Sequence, residues 1–248
     1  MNNSKSLKKL IEIADEIRRM KYPSAEFVFL AGSIVRGEAT AFSDLDIVVI
    51  YKDLPNAFRE SFYFQNFPVE TFVHTPETLN YFFEADAKSG VPSLAAMVAE
   101  GIEVPHRTDL SEKLKSLANK YKSNPPKLSE EDIRRLRGWL TDLIDDIRAP
   151  RSKEELSASG TTLYAALAEF YLRTNGFWSA KSKSIPRALR KSNPDFQQRF
   201  CEAFERLFVA GEPEAIISLT EELLAPYGGF LFDGLRLEAS PDCRKPLE

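Results

Sequence analysis

Apolar positions fall into two regimes along this chain. Up to about residue 108, short apolar runs alternate with helical stretches. Beyond it, only helical spacing remains. Leu7, Leu10, Ile11, Ala14 and Ile17 recur at helical intervals and predict an amphipathic helix over residues 6–20. Continuous apolar runs predict strands over 26–31, 44–51 and 67–73, with a short edge strand over 102–104. Helices are expected over 56–64, over 76–87 with Thr75 as cap and Pro76 in the first turn, and over 93–100. Further on, the spacing predicts helices over 110–121, 130–148, 153–174, 194–209 and 213–224. The stretch 122–128, with Pro125 and Pro126, reads as a linker, and 178–187 as a loop. The expected fold class is therefore α+β: a small mixed sheet flanked by helices in residues 1–108, followed by a C-terminal helical bundle in 109–248.

The strand over 44–51 opens with Ser43-Asp44-Leu45-Asp46. Residues two apart on a strand share a face, so Asp44 and Asp46 point one way while Leu45, Ile47 and Val49 point the other, into a core. Two carboxylates side by side repel unless a cation lies between them. Mg²⁺ suits that place, because it prefers oxygen ligands and takes one or two carboxylates together with substrate phosphates. The preceding strand ends in Gly32-Ser33, where a glycine lets a ligand approach the backbone and a serine offers a hydroxyl beside the N–H groups of a helix start. A phosphate-binding turn beside a carboxylate pair is apparatus for phosphoryl or nucleotidyl transfer.

Gly32-Ser33, ten intervening residues and then Asp44-Leu45-Asp46, set between two apolar strands, resembles the signature of the DNA polymerase beta-type nucleotidyltransferase superfamily. The fuller stretch GSIVRGEATAFSDLDIVV resembles its small-molecule branch, which includes the aminoglycoside and lincosamide nucleotidyltransferases. The resemblance implies a third carboxylate on a later strand, and Glu70, between Val69 and Phe72, fits that position. Asp44, Asp46 and Glu70 are then the expected catalytic residues and metal ligands, holding Mg²⁺, two ions when nucleotide is bound. Gly32, Ser33, Arg36 and Ser43 are the expected nucleotide-binding residues. The implied reaction moves a nucleoside monophosphate, AMP from ATP, to a hydroxyl of a small molecule such as an antibiotic, with acceptor binding assigned to the helical domain. In relatives of this layout the acceptor lies between the two domains, and some relatives build the site across a homodimer.

Blander readings stand beside several of these positions. A solvent-facing glutamate on a half-buried strand would look like Glu70. Arg36 has Glu38 within reach as an ion-pair partner, and Ser43 also suits a plain turn. His74 shares a strand face with Glu70 but also suits a structural place before the Pro76 helix. On the helix over 130–148, Asp142 and Asp146 stand one turn apart beside Trp139, which makes them candidates for acceptor recognition or for a solvated acidic face. Lys181 and Lys183, in the loop over 178–187, are candidate phosphate contacts or a plain basic loop.

Composition narrows the partners. Of 248 residues 43% are hydrophobic and 28% charged, as in ordinary globular proteins, and the net charge is −4. That balance lacks the basic surplus of a nucleic-acid binder and argues against an RNA-tailing or transfer-RNA enzyme. Two cysteines, Cys201 and Cys243, make neither a disulfide framework nor a zinc spacing, which predicts reduced thiols and a cytoplasmic location. No apolar run is long enough to span a membrane, and the N-terminus has no secretory pattern. The alternative functional reading is an antitoxin-like or regulatory protein of the same fold that acts on a protein partner.

Overall fold

The computed structural model describes residues 3–244. It divides into two compact units, Met1–Pro125 and Pro126–Glu248. The first runs α1 (Asn3–Lys21), β1 (Phe27–Ala31), the single-turn α2 (Gly32–Val35), β2 (Leu45–Ile50), β3 (Phe58–Phe64), β4 (Phe67–His74), α3 (Pro76–Ser89), α4 (Ser93–Glu100), β5 (Ile102–Val104) and α5 (Asp109–Lys122). The five strands form one mixed sheet in the order β3-β4-β2-β1-β5. β2 and β4 pair in parallel, and the other pairs are antiparallel.

Both sheet faces are covered, which is why β1 and β2 read as nearly unbroken apolar runs. On one face Leu45, Ile47 and Val49 pack with Val28, Leu30 and the α1 residues Ile13, Ala14 and Ile17. On the other, Phe27, Phe29, Val48 and Ile50 pack with Leu79 and Phe83 of α3, Leu94 and Val98 of α4, and Leu114 and Ala118 of α5. Helix starts follow the sequence signals closely. Thr75 and Thr78 cap α3 reciprocally, with Pro76 in its first turn, and Gly90 ends it in the left-handed region at φ 74°.

One strand departs from the expectation. Residues 56–64 were expected to be helical, but Phe58–Phe64 is the edge strand β3. Its sequence, Phe-Arg-Glu-Ser-Phe-Tyr-Phe, has the period of two proper to a strand, with Phe58, Glu60, Phe62 and Phe64 on one face. Gln65 and Asn66, at φ 48° and 68°, join it to β4 through a two-residue hairpin closed by the Phe64–Phe67 pair. Positive φ at both central residues gives the loop the twist that a tight hairpin needs.

The sequence division after residue 108 follows the loss of strand signals, whereas the compact units part between Pro125 and Pro126. Helix α5 belongs by packing to the first unit, because Leu114 and Ala118 complete the cluster around Phe83 and Val98.

The second unit is helical: α6 (Glu130–Arg148), α7 (Lys153–Thr174), α8 (Ile185–Ser192), α9 (Pro194–Glu205) and α10 (Glu214–Leu224). Its core gathers Leu140, Ile144 and Ile147 with Leu163, Leu167, Phe170, Leu189, Phe200, Phe204 and Ile216. α8 lies partly in the stretch read as a loop. Pro186 occupies its first turn, where no backbone N–H is missed, and Ile185 and Leu189 one turn apart are both buried. The helix expected to run to residue 209 ends at Glu205 and widens into a π-turn over Arg206–Ala210. The chain after α10 lies along α6. Arg137 donates to the carbonyls of Gly228 and Gly229, Arg134 donates to that of Gly234, and Leu231 N–H donates to Thr141 Oγ1.

Candidate active site

β1, β2 and β4 bring the candidate residues to one end of the sheet. Ala31 pairs with Asp46, and Asp46 pairs with Glu70, so Asp46 and Glu70 are direct neighbours on the same face of adjacent parallel strands. Asp44 lies one residue before β2 begins. Asp44, Asp46 and Glu70 can each present a carboxylate oxygen such that all three lie within 4.8 Å of one another, and all three side chains are partly exposed. Farther along that face come Val48, Ile50 and Phe72, so the carboxylates sit at the rim of a core.

Gly32 follows β1 directly and is buried, with φ at 77°. A Cβ there would run into the Asp46 carboxylate. The chain thus needs glycine twice over: for a left-handed backbone and for the close approach of the turn to Asp46. Ser33, the next residue, is half-buried in α2, and its carbonyl accepts from Glu38 N–H at 2.8 Å.

The remaining nucleotide-binding candidates have partners of their own. Arg36 Nε donates to Glu38 at 3.1 Å and its Nη1 to Glu100 at 3.4 Å. Lys122 Nζ donates to the other oxygen of Glu100 at 2.6 Å, so Glu100 lies between two cations. Ser43 Oγ accepts from Thr40 N–H at 2.8 Å, closing the turn ahead of Asp44. Asp142 and Asp146 are exposed on α6, Lys181 is exposed just before the short 3₁₀ turn over Ser182–Ser184, and Lys183 is exposed within it. These four belong to the second unit.

His74 is not part of the cluster. Four residues along β4 put it about 13 Å from Glu70. There it is buried against Phe82, with Nδ1 3.2 Å from Thr78 Oγ1. Burial pushes its imidazole down to about 4. The unfolded chain takes up this proton near pH 6.5, the folded protein only near 4. This contribution to stability is therefore complete above 6.5 and is lost progressively as the pH falls toward 4. We expect acidification from pH 7 to pH 5 to cost about 2 kcal/mol through this residue. Urea unfolding of the protein and of His74→Gln at both pH values checks this, and an equal loss in the variant would contradict it.

Two functional candidates escaped the sequence reading because β3 was taken for a helix. Arg59 forms an ion pair with Glu70 through Nη2 and Oε1, and Ser61 Oγ lies 3.3 Å from the same oxygen. Ser61 stands directly opposite Glu70 in the ladder and Arg59 opposite Phe72. The alternation of residues 58–64 was the signal that would have placed both on the Glu70 face.

The first unit is thus a mixed five-stranded sheet with flanking helices, with a glycine-serine turn after β1 and three carboxylates clustered at one end of β2 and β4. Residues 8–97 match the family model described as a nucleotidyltransferase domain. The chain is also similar to a solved structure, that of a nucleotidyltransferase-like protein from Exiguobacterium sibiricum 255-15. Identity is 17%, 88% of this chain and 75% of that chain are covered, and the TM-score is 0.46. No curated protein matches the chain. Among the described residues, no helix is long and apolar enough to cross a membrane.

Proposed function

We propose that this protein is a Mg²⁺-dependent nucleotidyltransferase that moves a nucleoside monophosphate, AMP from ATP, onto a hydroxyl of a small molecule. The observation that carries the reading is the convergence of Asp44, Asp46 and Glu70 beside the Gly32–Ser33 turn. The donor set fits the metal: three hard oxygen ligands, partly exposed, leave room for the phosphate oxygens and waters that Mg²⁺ keeps in its coordination shell. When bound, the metal neutralises charge developing on the phosphates during in-line displacement.

The chain's own groups have separate tasks. Asp44 and Asp46 hold the cation at the end of β2, and Glu70 brings the third carboxylate from β4. Gly32 and Ser33 position the triphosphate, and Arg36 joins them on leaving Glu38 and Glu100, since a guanidinium binds phosphate oxygens in bidentate fashion. Ser43 keeps the turn before Asp44 closed. The acceptor oxygen bonds to the α-phosphorus, the bond from that phosphorus to the bridging oxygen breaks, and pyrophosphate departs. Glu70 takes the acceptor's proton as the new bond forms. Within the helical unit, Asp142 and Asp146 offer exposed carboxylates to a cationic acceptor, and Lys181 and Lys183 offer exposed ammonium groups to an anionic one. The proposed setting is the cytoplasm, where both thiols stay reduced.

Incubation with each of the four α-labelled nucleoside triphosphates and Mg²⁺, across a panel of aminoglycosides and lincosamides, tests the proposal. Label on a small molecule with stoichiometric pyrophosphate release is the expected result. Label transferred instead to a protein would replace the small-molecule reading with the protein-directed one.

A further inference from the structure

Glu70 already has a cation, and it comes from the protein. Arg59 reaches across the β3–β4 hairpin and pairs with Glu70 Oε1, a carboxylate of the cluster that would bind metal. The two side chains differ sharply in exposure: 62% for Arg59 and 16% for Glu70. A carboxylate withdrawn from solvent beside two others needs a positive partner, whereas an exposed arginine can leave for water at little cost. The guanidinium also rests over the Phe72 ring, 5.3 Å from its centroid, so it hovers on the apolar surface beside the cluster.

We propose that Arg59 is the resident counter-ion of the third carboxylate. Its guanidinium occupies Glu70 until a divalent cation takes its place, and this competition sets how tightly the cluster holds metal. The inference rests on the metal reading of Asp44, Asp46 and Glu70 given above. Arg59 is thus a positioning residue acting through Glu70. Ser61, which shares Oε1, is neutral and can stay as a hydrogen-bond donor after the exchange. The edge position of β3 suits this role, because a side chain there can swing outward without disturbing a neighbouring strand.

Mn²⁺ binding, followed by the electron paramagnetic resonance of the free ion, tests the exchange without any turnover. The samples are the wild-type protein, Arg59→Gln, Glu70→Gln, the double variant of these two, and Asp44→Asn/Asp46→Asn, each checked for an unchanged thermal transition. Arg59→Gln is expected to bind Mn²⁺ about tenfold more tightly than wild type, as loss of a competing charge a few ångströms away implies. In the Glu70→Gln background the same substitution should change affinity less than about twofold, because the contested carboxylate is gone. Equal affinity in wild type and Arg59→Gln would overturn the proposal. So would an undiminished gain in the Glu70→Gln background, which would make Arg59 a distant charge and not a competitor. Retention of Mn²⁺ binding by Asp44→Asn/Asp46→Asn would overturn the metal reading itself, whatever Arg59 does.

Discussion

Replacing Asp44 and Asp46 together by asparagine is expected to lower nucleotidyl transfer at least about a thousandfold while leaving the protein folded. The rate follows from the chemistry: metal held against the phosphates is worth several kcal/mol of transition-state stabilisation, and each 1.4 kcal/mol is tenfold. The stability follows from the place. Both side chains sit at the partly exposed rim of the sheet, and the core face of β2 is made by Leu45, Ile47 and Val49. Asparagine keeps the shape of both side chains and leaves that core face intact. The melting temperature should therefore stay close to that of wild type in metal-free buffer. Turnover of labelled nucleotide and a thermal melt measure the two effects. A variant that loses activity because it unfolds would show the carboxylates to be structural, and one that keeps activity would place the chemistry elsewhere.

The second large effect lies in the helical unit. Phe200 is fully buried, with the Tyr164 and Phe204 rings 4.8 and 4.7 Å away and Phe196 beyond at 6.1 Å. Phe200→Ala deletes the middle of this aromatic row and leaves a cavity that rigid helix packing between α7 and α9 cannot close. The expected loss is about 3–5 kcal/mol, a large part of the stability of an ordinary domain. Urea unfolding monitored by far-ultraviolet circular dichroism measures it. A loss under about 1 kcal/mol would mean that the row is not part of a tightly packed core.

What could be read from the sequence divides along physical lines. The strands β1 and β2 were legible because both sheet faces are buried, so their apolar runs are almost uninterrupted. α6 was legible because one of its faces is apolar over four turns or more, and α7 because apolar residues crowd its second half. Asp44 and Asp46 could be singled out because a charged pair sharing one strand face stands out at the head of such a run, and Glu70 because the resemblance implies a third carboxylate on a later strand. Their mutual approach could not be read: it depends on the parallel register that sets Asp46 against Glu70. β3 was lost because an exposed edge strand carries alternating charges and aromatics that also suit a short helix, and because its turn, Gln65-Asn66, has no glycine. Arg59 was lost with it. α8 was missed because a proline at a helix start and a proline that breaks a helix look alike in a linear reading. The two partners of Arg36, Glu38 and Glu100, illustrate a further limit: the first is visible two residues away, while the second is brought in only by folding.

The central claim is that the three carboxylates hold the metal that carries the nucleotide. Anomalous diffraction from crystals grown with Mn²⁺ and a non-hydrolysable ATP analogue tests it most directly. The account predicts a strong manganese peak bounded by Asp44, Asp46 and Glu70, with triphosphate density against the Gly32–Ser33 turn. Manganese and nucleotide bound together elsewhere, with the three carboxylates free of metal, would contradict it.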